Sequence, residues 1–566
     1  ITVNATALAD DITLSTAGAG NFSITGLQGD LSNTASGTVS VTLADNTGGD
    51  YTVTSTQAIS VNNGTAKNTD TITLAGSGDK TVNALVADLS LDSSNTGTTN
   101  VTTADASLTI TADAAAGALT VDASSTATDK TITLSGGNNT TSASVNNLVA
   151  DLSASGLASA LTVDLNDASD NAIAITTGSY TSSISGSVAG DTITVNATAL
   201  ADDITLSTAG AGNFSITGLQ GDLNNTADGG AISITTAAVA TQTIDLGSGL
   251  NGSRTINATA MNSGNVLTLT GAADATVSIA DADLSAGSYT GALTVDASSG
   301  TGAGSITTGT GNDDFTSGGG ADTINTGDGT DTLRFSQPDL AAASSIDGGN
   351  QADTLILEAS ASIVDADFTV VSNIETLQLT GASTAVLGSN TANAGITTLV
   401  TGDGDTSITL NNAISLAIDA SAMDTNDTLT ISGDGTFSIT NLTADLISTA
   451  TGTVSATLDG SASPTEAITI TNNAAAAGFT VDNGSFADGD TISLAGTSAI
   501  TVTGLVANLD ASASSGQITA TSAGSSGDII VTTGSAVTNL TATTVGDTFT
   551  VNATALADDI TLSTAG

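Results

Sequence analysis

Three nine-residue units stand back to back in this chain: TGTGNDDFT (308–316), SGGGADTIN (317–325) and TGDGTDTLR (326–334). Each has glycine at its second and fourth positions, aspartate at the sixth and a large apolar residue at the eighth. Glycine permits the positive-φ turns that bring backbone carbonyls together, and the aspartate adds an anionic oxygen, so the donors suit a hard cation such as Ca²⁺. The candidate ligands are Gly309, Gly311 and Asp313 in the first unit, Gly318, Gly320 and Asp322 in the second, and Gly327, Gly329 and Asp331 in the third. A fourth, weaker copy, GGNQADTLI (348–356), has Gln351 where the second glycine is expected and adds Asp353. The eighth-position residues Phe315, Ile324 and Leu333 each open a short strand, with the side chain turned inward and stacked on its counterpart one coil away. In a chain rich in Gly, Asp and Thr one such unit reads equally well as a plain turn, but three in register do not.

The segment resembles the repeats-in-toxin (RTX) family of secreted bacterial proteins. That resemblance implies a parallel β-roll with calcium held between successive turns, and export through a type I secretion system. It covers about 308–356, and VSNIETLQLTG (371–381) looks like the strand that trails such repeats. Thr308, Ser317 and Thr326 replace the leading glycine of each unit, a departure that bears on the affinity of each site.

Composition narrows the chemistry further. Fifty-six acidic residues face five basic ones (Lys67, Lys80, Lys130, Arg254 and Arg334), for a net charge of −51. All the acids except Glu358, Glu375 and Glu466 are aspartate, the residue of turns and short-reach coordination. Such a charge repels nucleic acid and anionic membranes and favours divalent cations, although a halophile's acidic surface would have the same balance. With no Cys and no His there are no disulfides, no thiol chemistry and no imidazole proton shuttle, and zinc is not expected. No stretch approaches a membrane span, so membrane insertion is not expected. The chain begins at Ile1 without methionine or a signal-peptide pattern and is read as a portion of a longer precursor.

The elements that must position these groups are short strands. Alternation over four to six residues, as in DTITVNAT (191–198), TVSVTLAD (38–45) and TFSITNL (436–442), predicts half-buried strands between Gly, Asn, Asp and Ser turns. Ala-rich runs such as Ala112 to Ala118 and Ala474 to Ala477 are too short for more than a turn of helix. Strands entered through Asp-Thr-apolar (GDTI at 190–193 and 489–492, NDTL at 426–429, GDTF at 546–549) read as degraded nonapeptides in which the aspartate caps a turn. GDGD (402–405) and GDG (433–435) are the next candidates for a metal.

Repetition is pervasive. Residues 1–31 recur unchanged at 193–223, residues 3–18 return at 551–566, and GALTVDASS appears at 117–125 and 291–299. A motif L-x-[AG]-[DN]-L recurs at 27–31, 85–89, 148–152, 219–223, 442–446 and 505–509, with neighbours mostly 58 to 71 residues apart. Each period holds either two or three coils of a parallel β-solenoid or one small antiparallel β-sandwich. The scarcity of large side chains, with 2% aromatics, and only two prolines (Pro338 and Pro464) favours the solenoid. The expected fold is therefore all-β: a repetitive array over 1–300, a calcium-binding nonapeptide block over 301–360 and a second array over 361–566.

Catalysis is not expected, because the usual nucleophile and base pairs are missing and no aspartate pair stands out. The expected role is a structural subunit of a bacterial extracellular surface layer, sheath or filament, assembled on itself and stiffened by calcium, with any cell-surface glycan reached through regions outside this chain. The alternative is the extender region of a giant RTX adhesin. Ice binding is more remote, because the file that begins with Thr310 and Asn312 is broken by Gly319, Ala321 and Asp328. Asn-x-Ser/Thr sequences, such as Asn4-Ala5-Thr6 and Asn21-Phe22-Ser23, are expected from abundance rather than as glycan acceptors.

Overall fold

The structure, a computed structural model, describes the chain except residues 10–11, 114–115, 138–141, 168–171, 249–251, 461–466, 524–527, 544–547, 558–561 and 566. Pro464, Glu466, the GDTF aspartate and part of the Ala112–Ala118 run lie outside the described residues. The fold is an all-β parallel β-solenoid, and it comprises two compact units, Ile1–Thr294 and Val295–Gly566.

In the first unit each coil contributes one short strand to each of two parallel sheets. Thr2 pairs with Ser23, Ser23 with Ser40 and Ser40 with Ser60, so one coil takes about twenty residues. Alternation turns every second side chain inward, and parallel register then stacks like on like. One interior column runs Ile24, Val41, Val61, Val82, Val101, Val121, Val145, Val163 and Ile184, all of them buried. Each such side chain contributes about 1.5–3 kcal/mol by leaving water. In the second unit a column of the same kind runs Phe315, Leu333, Leu355, Leu377, Leu399, Ile418 and Ile439.

The recurring L-x-[AG]-[DN]-L motif proves to be a corner. The residue before its first Leu takes a left-handed conformation in every copy: Gly26, Ala84, Asn147, Gly218, Asn441 and Gly504 have φ between 53° and 67°. That residue forms a bulge that ends one strand, and the Asp or Asn begins the next. Its Oδ1 then accepts the backbone N–H of a strand one coil further on. Asp30 accepts from Thr52 at 2.8 Å, Asp88 from Thr109 at 2.7 Å, Asp151 from Ala174 at 2.8 Å, Asp222 from Thr243 at 2.7 Å, Asp445 from Thr469 at 2.7 Å and Asn508 from Ile530 at 2.9 Å. The period near sixty residues is three coils, since Leu31, Val53, Leu74 and Leu91 stack in turn.

A second corner explains the Asn-Ala-Thr sequences. At Asn4, Asn196, Asn257 and Asn552 the side-chain oxygen accepts both the N–H and the hydroxyl of the Thr two residues on, at 2.7 to 3.3 Å. Asp296 does the same for Ser298, and Asp122 and Asp419 accept the N–H of Ser124 and Ser421. Because Asp substitutes for Asn in the same geometry, the triplet is a turn device.

Among the described residues helix is confined to short pieces: Gln337–Ala342, Ser389–Asn393 and a 3₁₀ turn at Asp365–Phe368. The first has an N-cap signal that sequence reading passed over, Ser336 accepting the Asp339 N–H, with a proline in its opening turn.

Candidate metal centre

Each nonapeptide is half a coil, so consecutive units land on opposite edges of the solenoid. The turns Thr308–Asp313, Thr326–Asp331 and Gly348–Asp353 follow the strands Ser305–Thr307, Thr323–Asn325 and Ser345–Asp347 and share one edge. The turn Ser317–Asp322 lies on the opposite edge, where the next corner is occupied by the helix Gln337–Ala342. The sequence register of three aspartates is thus divided. Asp313, Asp331 and Asp353 stack, while Asp322 stands apart with its Oδ1 accepting the Gly304 N–H at 2.8 Å.

The stacked edge is a ladder of carboxylates. The Asp313 N–H donates to Asp331 Oδ1, the Asp331 N–H to Asp353 Oδ1 and the Asp353 N–H to Glu375 Oε2, each at 2.8 Å. Glu375 is therefore a fourth rung that the sequence reading did not select. Its signal was present, because Ile-Glu-Thr-Leu (374–377) repeats the Ala-Asp-Thr-Leu of 352–355 one coil later.

Close approach explains the glycines. A Cβ on Gly327 would lie 2.2 Å from the Gly309 carbonyl oxygen, one on Gly329 2.0 Å from that of Gly311, and one on Gly320 2.0 Å from that of Gly302. Gly320, Gly327 and Gly329 also have positive φ; at Gly318 the reason is the Ala297 carbonyl, 2.3 Å from where its Cβ would be. Gln351 takes φ of 83° despite its side chain, whose Oε1 accepts the Gly329 N–H at 2.5 Å. The replaced leading glycines form a rung of their own: Thr308 Oγ1 donates to the Thr326 carbonyl at 2.7 Å, and Thr326 Oγ1 to the Gly348 carbonyl at 2.8 Å.

Electrostatically this edge is expensive. Asp313, Asp331 and Asp353 are buried, and one oxygen each of Asp331 and Asp353 (Oδ2) has no hydrogen-bond partner among the described residues. Burial pushes Asp331 up to about 6 against the pull of the Asp313 N–H, with the charges of Asp313 and Asp328 adding to the rise. Burial likewise pushes Asp353 up to about 7, reinforced by Asp331, Glu375 and Asp347. The one basic residue of the block, Arg334, is spent on Asp314 at 3.0 Å. Among the described residues no three acidic side chains gather into a metal cluster. A cation at this edge would therefore be held by one or two carboxylate oxygens together with corner carbonyls. Orphaned, buried, anionic oxygens beside closely packed carbonyls fit a hard cation of the Ca²⁺ type.

The other candidate loops differ. Asp405 and Asp434 are exposed, and their Oδ1 atoms accept the N–H groups of Thr428 and Ala413. In the Asp-Thr-apolar turns the aspartate accepts an N–H three residues back: Lys67 to Asp70, Asp424 to Asp427 and Ala487 to Asp490.

Comparison with protein-family models, with curated proteins and with solved structures returns no match for this chain. Among the described residues no helix is long and apolar enough to cross a membrane.

Proposed function

We propose that the protein is a calcium-stiffened structural subunit of a bacterial extracellular surface layer, sheath or filament, and that it performs no catalysis. The observation that carries this reading is the ladder Asp313, Asp331, Asp353 and Glu375, whose buried Oδ2 atoms at Asp331 and Asp353 have no hydrogen-bond partner among the described residues. Ca²⁺ would be held there by Asp313, Asp331 and Asp353 with carbonyls of the stacked glycines Gly309, Gly311, Gly327 and Gly329, and at the opposite edge by Asp322 with Gly318 and Gly320. Once bound, the ion cancels the repulsion between stacked coils, so metal binding becomes folding free energy.

A chain that needs calcium for one block and carries a net charge of −51 over its whole length is suited to export unfolded and to ordering in a calcium-rich exterior. The same ion, bridging or neutralising surface carboxylates, would let copies associate laterally or end to end. The direct test is negative-stain electron microscopy of the purified protein in millimolar Ca²⁺ and in excess chelator at equal ionic strength. Sheets or filaments that form only with calcium are the expected result. Isolated rods in both conditions would favour the extender region of an adhesin, and rods unchanged in shape and stability without calcium would remove the metal from the reading altogether.

A further inference from the structure

Calcium chemistry in the preceding reading ends at Asp353, in the fourth and weaker nonapeptide copy, and the orphaned oxygen there stands beside groups of the coil that follows. Asp353 is fully buried, its Oδ1 accepts the Asp331 N–H, and its Oδ2 has no hydrogen-bond partner among the described residues. That Oδ2 and the carbonyl oxygen of Asn373, from the next coil, converge on one spot: a Cβ built on Gly348 would lie 2.8 Å from the first and 2.1 Å from the second. The Glu375 carboxylate stands against the same aspartate, its Oε2 2.8 Å from the Asp353 nitrogen. Asn373 presents its carbonyl from a left-handed conformation, φ 54°, and its amide is held by Asp347 Oδ1 at 2.7 Å.

Elsewhere the chain shows what such a corner accepts. Two of its five basic residues are buried with their heads on corner carbonyls. Lys80 Nζ donates to the Gly76 and Gly78 oxygens at 2.7 and 2.5 Å, and Arg254 Nη1 to the Gly252 oxygen at 2.8 Å. Corner carbonyls of this solenoid therefore hold cations, and at Gly348 the sequence supplies two acids in place of a basic side chain.

We infer that the cation row extends one coil past the nonapeptides, to a divalent-cation site formed by Asp353 Oδ2, the Asn373 carbonyl oxygen and the Glu375 carboxylate. This rests on the calcium reading above and adds to it a site that the glycine-aspartate pattern does not encode.

The test is the number of Ca²⁺ ions bound by the full chain, measured by equilibrium dialysis, for the wild type, Glu375→Gln and Asp331→Asn. Glutamine retains the acceptor for the Asp353 N–H, so Glu375→Gln preserves the ladder while removing the charge. Glu375→Asp, which keeps the charge on a shorter arm, serves as the second variant, and circular dichroism verifies that each is folded. The expected result is one fewer tight ion in Glu375→Gln, or at least a tenfold weaker one, and weakened binding in Glu375→Asp. Asp331→Asn should lose binding within the nonapeptides and keep the Glu375-dependent ion. Wild-type stoichiometry and affinity in both Glu375 variants would overturn the inference and leave the nonapeptide reading standing. A wild type that binds no calcium would overturn both.

Discussion

If the ladder is a charged column waiting for a cation, then removing calcium and raising the pH should loosen it, and removing the charge should cure it. Burial moves Asp331 from 3.8 to about 6 and Asp353 from 3.8 to about 7. At about 1.4 kcal/mol per pH unit, the two shifts are worth at most roughly 3 and 4 kcal/mol. The sign follows from the direction. Both groups bind their proton more tightly when folded, so their favourable contribution is fully present below about pH 4 and is lost as the pH rises through 6 and 7. General repulsion at −51 changes stability in the same direction. The informative comparison is therefore between the wild type and Asp331→Asn/Asp353→Asn, in which amide oxygens still accept the ladder N–H groups. Long repeat arrays do not melt in one step, so a local readout is needed. Hydrogen exchange of peptides containing the Asp313 and Asp331 amides supplies one, because those amides donate into the ladder. In chelator the wild type and the variant should exchange alike at pH 4. By pH 8 the wild type should exchange faster than the variant by one to three orders of magnitude, and millimolar Ca²⁺ should abolish the difference. Equal protection at pH 8 in chelator would refute the claim that these charges are unbalanced in the folded chain.

Other consequences can be checked singly. Gly349→Ala places a Cβ 1.7 Å from the Gly327 carbonyl oxygen at φ 90°, and should cost on the order of 3 kcal/mol or more, seen as lost protection over 327–355. Gly18→Ala has positive φ but nothing within 4 Å, so its cost should stay near 1 kcal/mol. Asp88→Asn should be nearly neutral, as Asn508 already is in the same corner, whereas Asp88→Ala strands the Thr109 N–H and should cost about 1–3 kcal/mol in thermal unfolding. Burial depresses Lys80 from 10.5 to about 8, so the folded chain sheds this proton more readily than the unfolded one. Its stability relative to Lys80→Met should rise by at most about 3 kcal/mol as pH climbs from 8 to 10.5, and a flat difference would mean that the carbonyls around Nζ offset the burial.

Much of this architecture was legible in the residues because solenoid coils are built from local rules. Alternation of two placed Ile24, Val41 and Val61 inside, and the scarcity of bulky side chains matched the narrow interior they fill. The spacing of L-x-[AG]-[DN]-L marked a real corner, but its cause was hidden, because the partner of Asp30 is the Thr52 N–H of another coil and no sequence pattern marks a backbone donor. The nonapeptide reading listed Asp313, Asp322 and Asp331 in one register, whereas the structure stacks Asp313 with Asp331 and Asp353 and sets Asp322 apart. Which edge a turn faces depends on counting half-coils, and that count puts Asp322 opposite Asp313 and Asp331. Glu375 escaped notice because the pattern searched for was glycine-aspartate, while the ladder requires only an acid before the Thr-Leu of the next strand.

The chain itself also tests whether the ladder's charge matters. Aspartate serves several geometries here, and in two of them it is interchangeable with its amide. The corner acceptor is Asp in five copies of the motif and Asn508 in the sixth, and the Ala-Thr/Ser turn is Asn at 4, 196, 257 and 552 but Asp at 122, 296 and 419. Those positions need an oxygen, and an uncharged one suffices. In the ladder all four rungs are acids, Asp313, Asp331, Asp353 and Glu375, at an edge where burial makes an ionised acid costly and an amide would satisfy the same N–H donors. An array that substitutes Asn freely elsewhere, yet keeps acids where they are least comfortable, retains a negative charge that the N–H donors do not require, and under the proposed reading a bound cation would be the partner that makes the stacked charges tolerable.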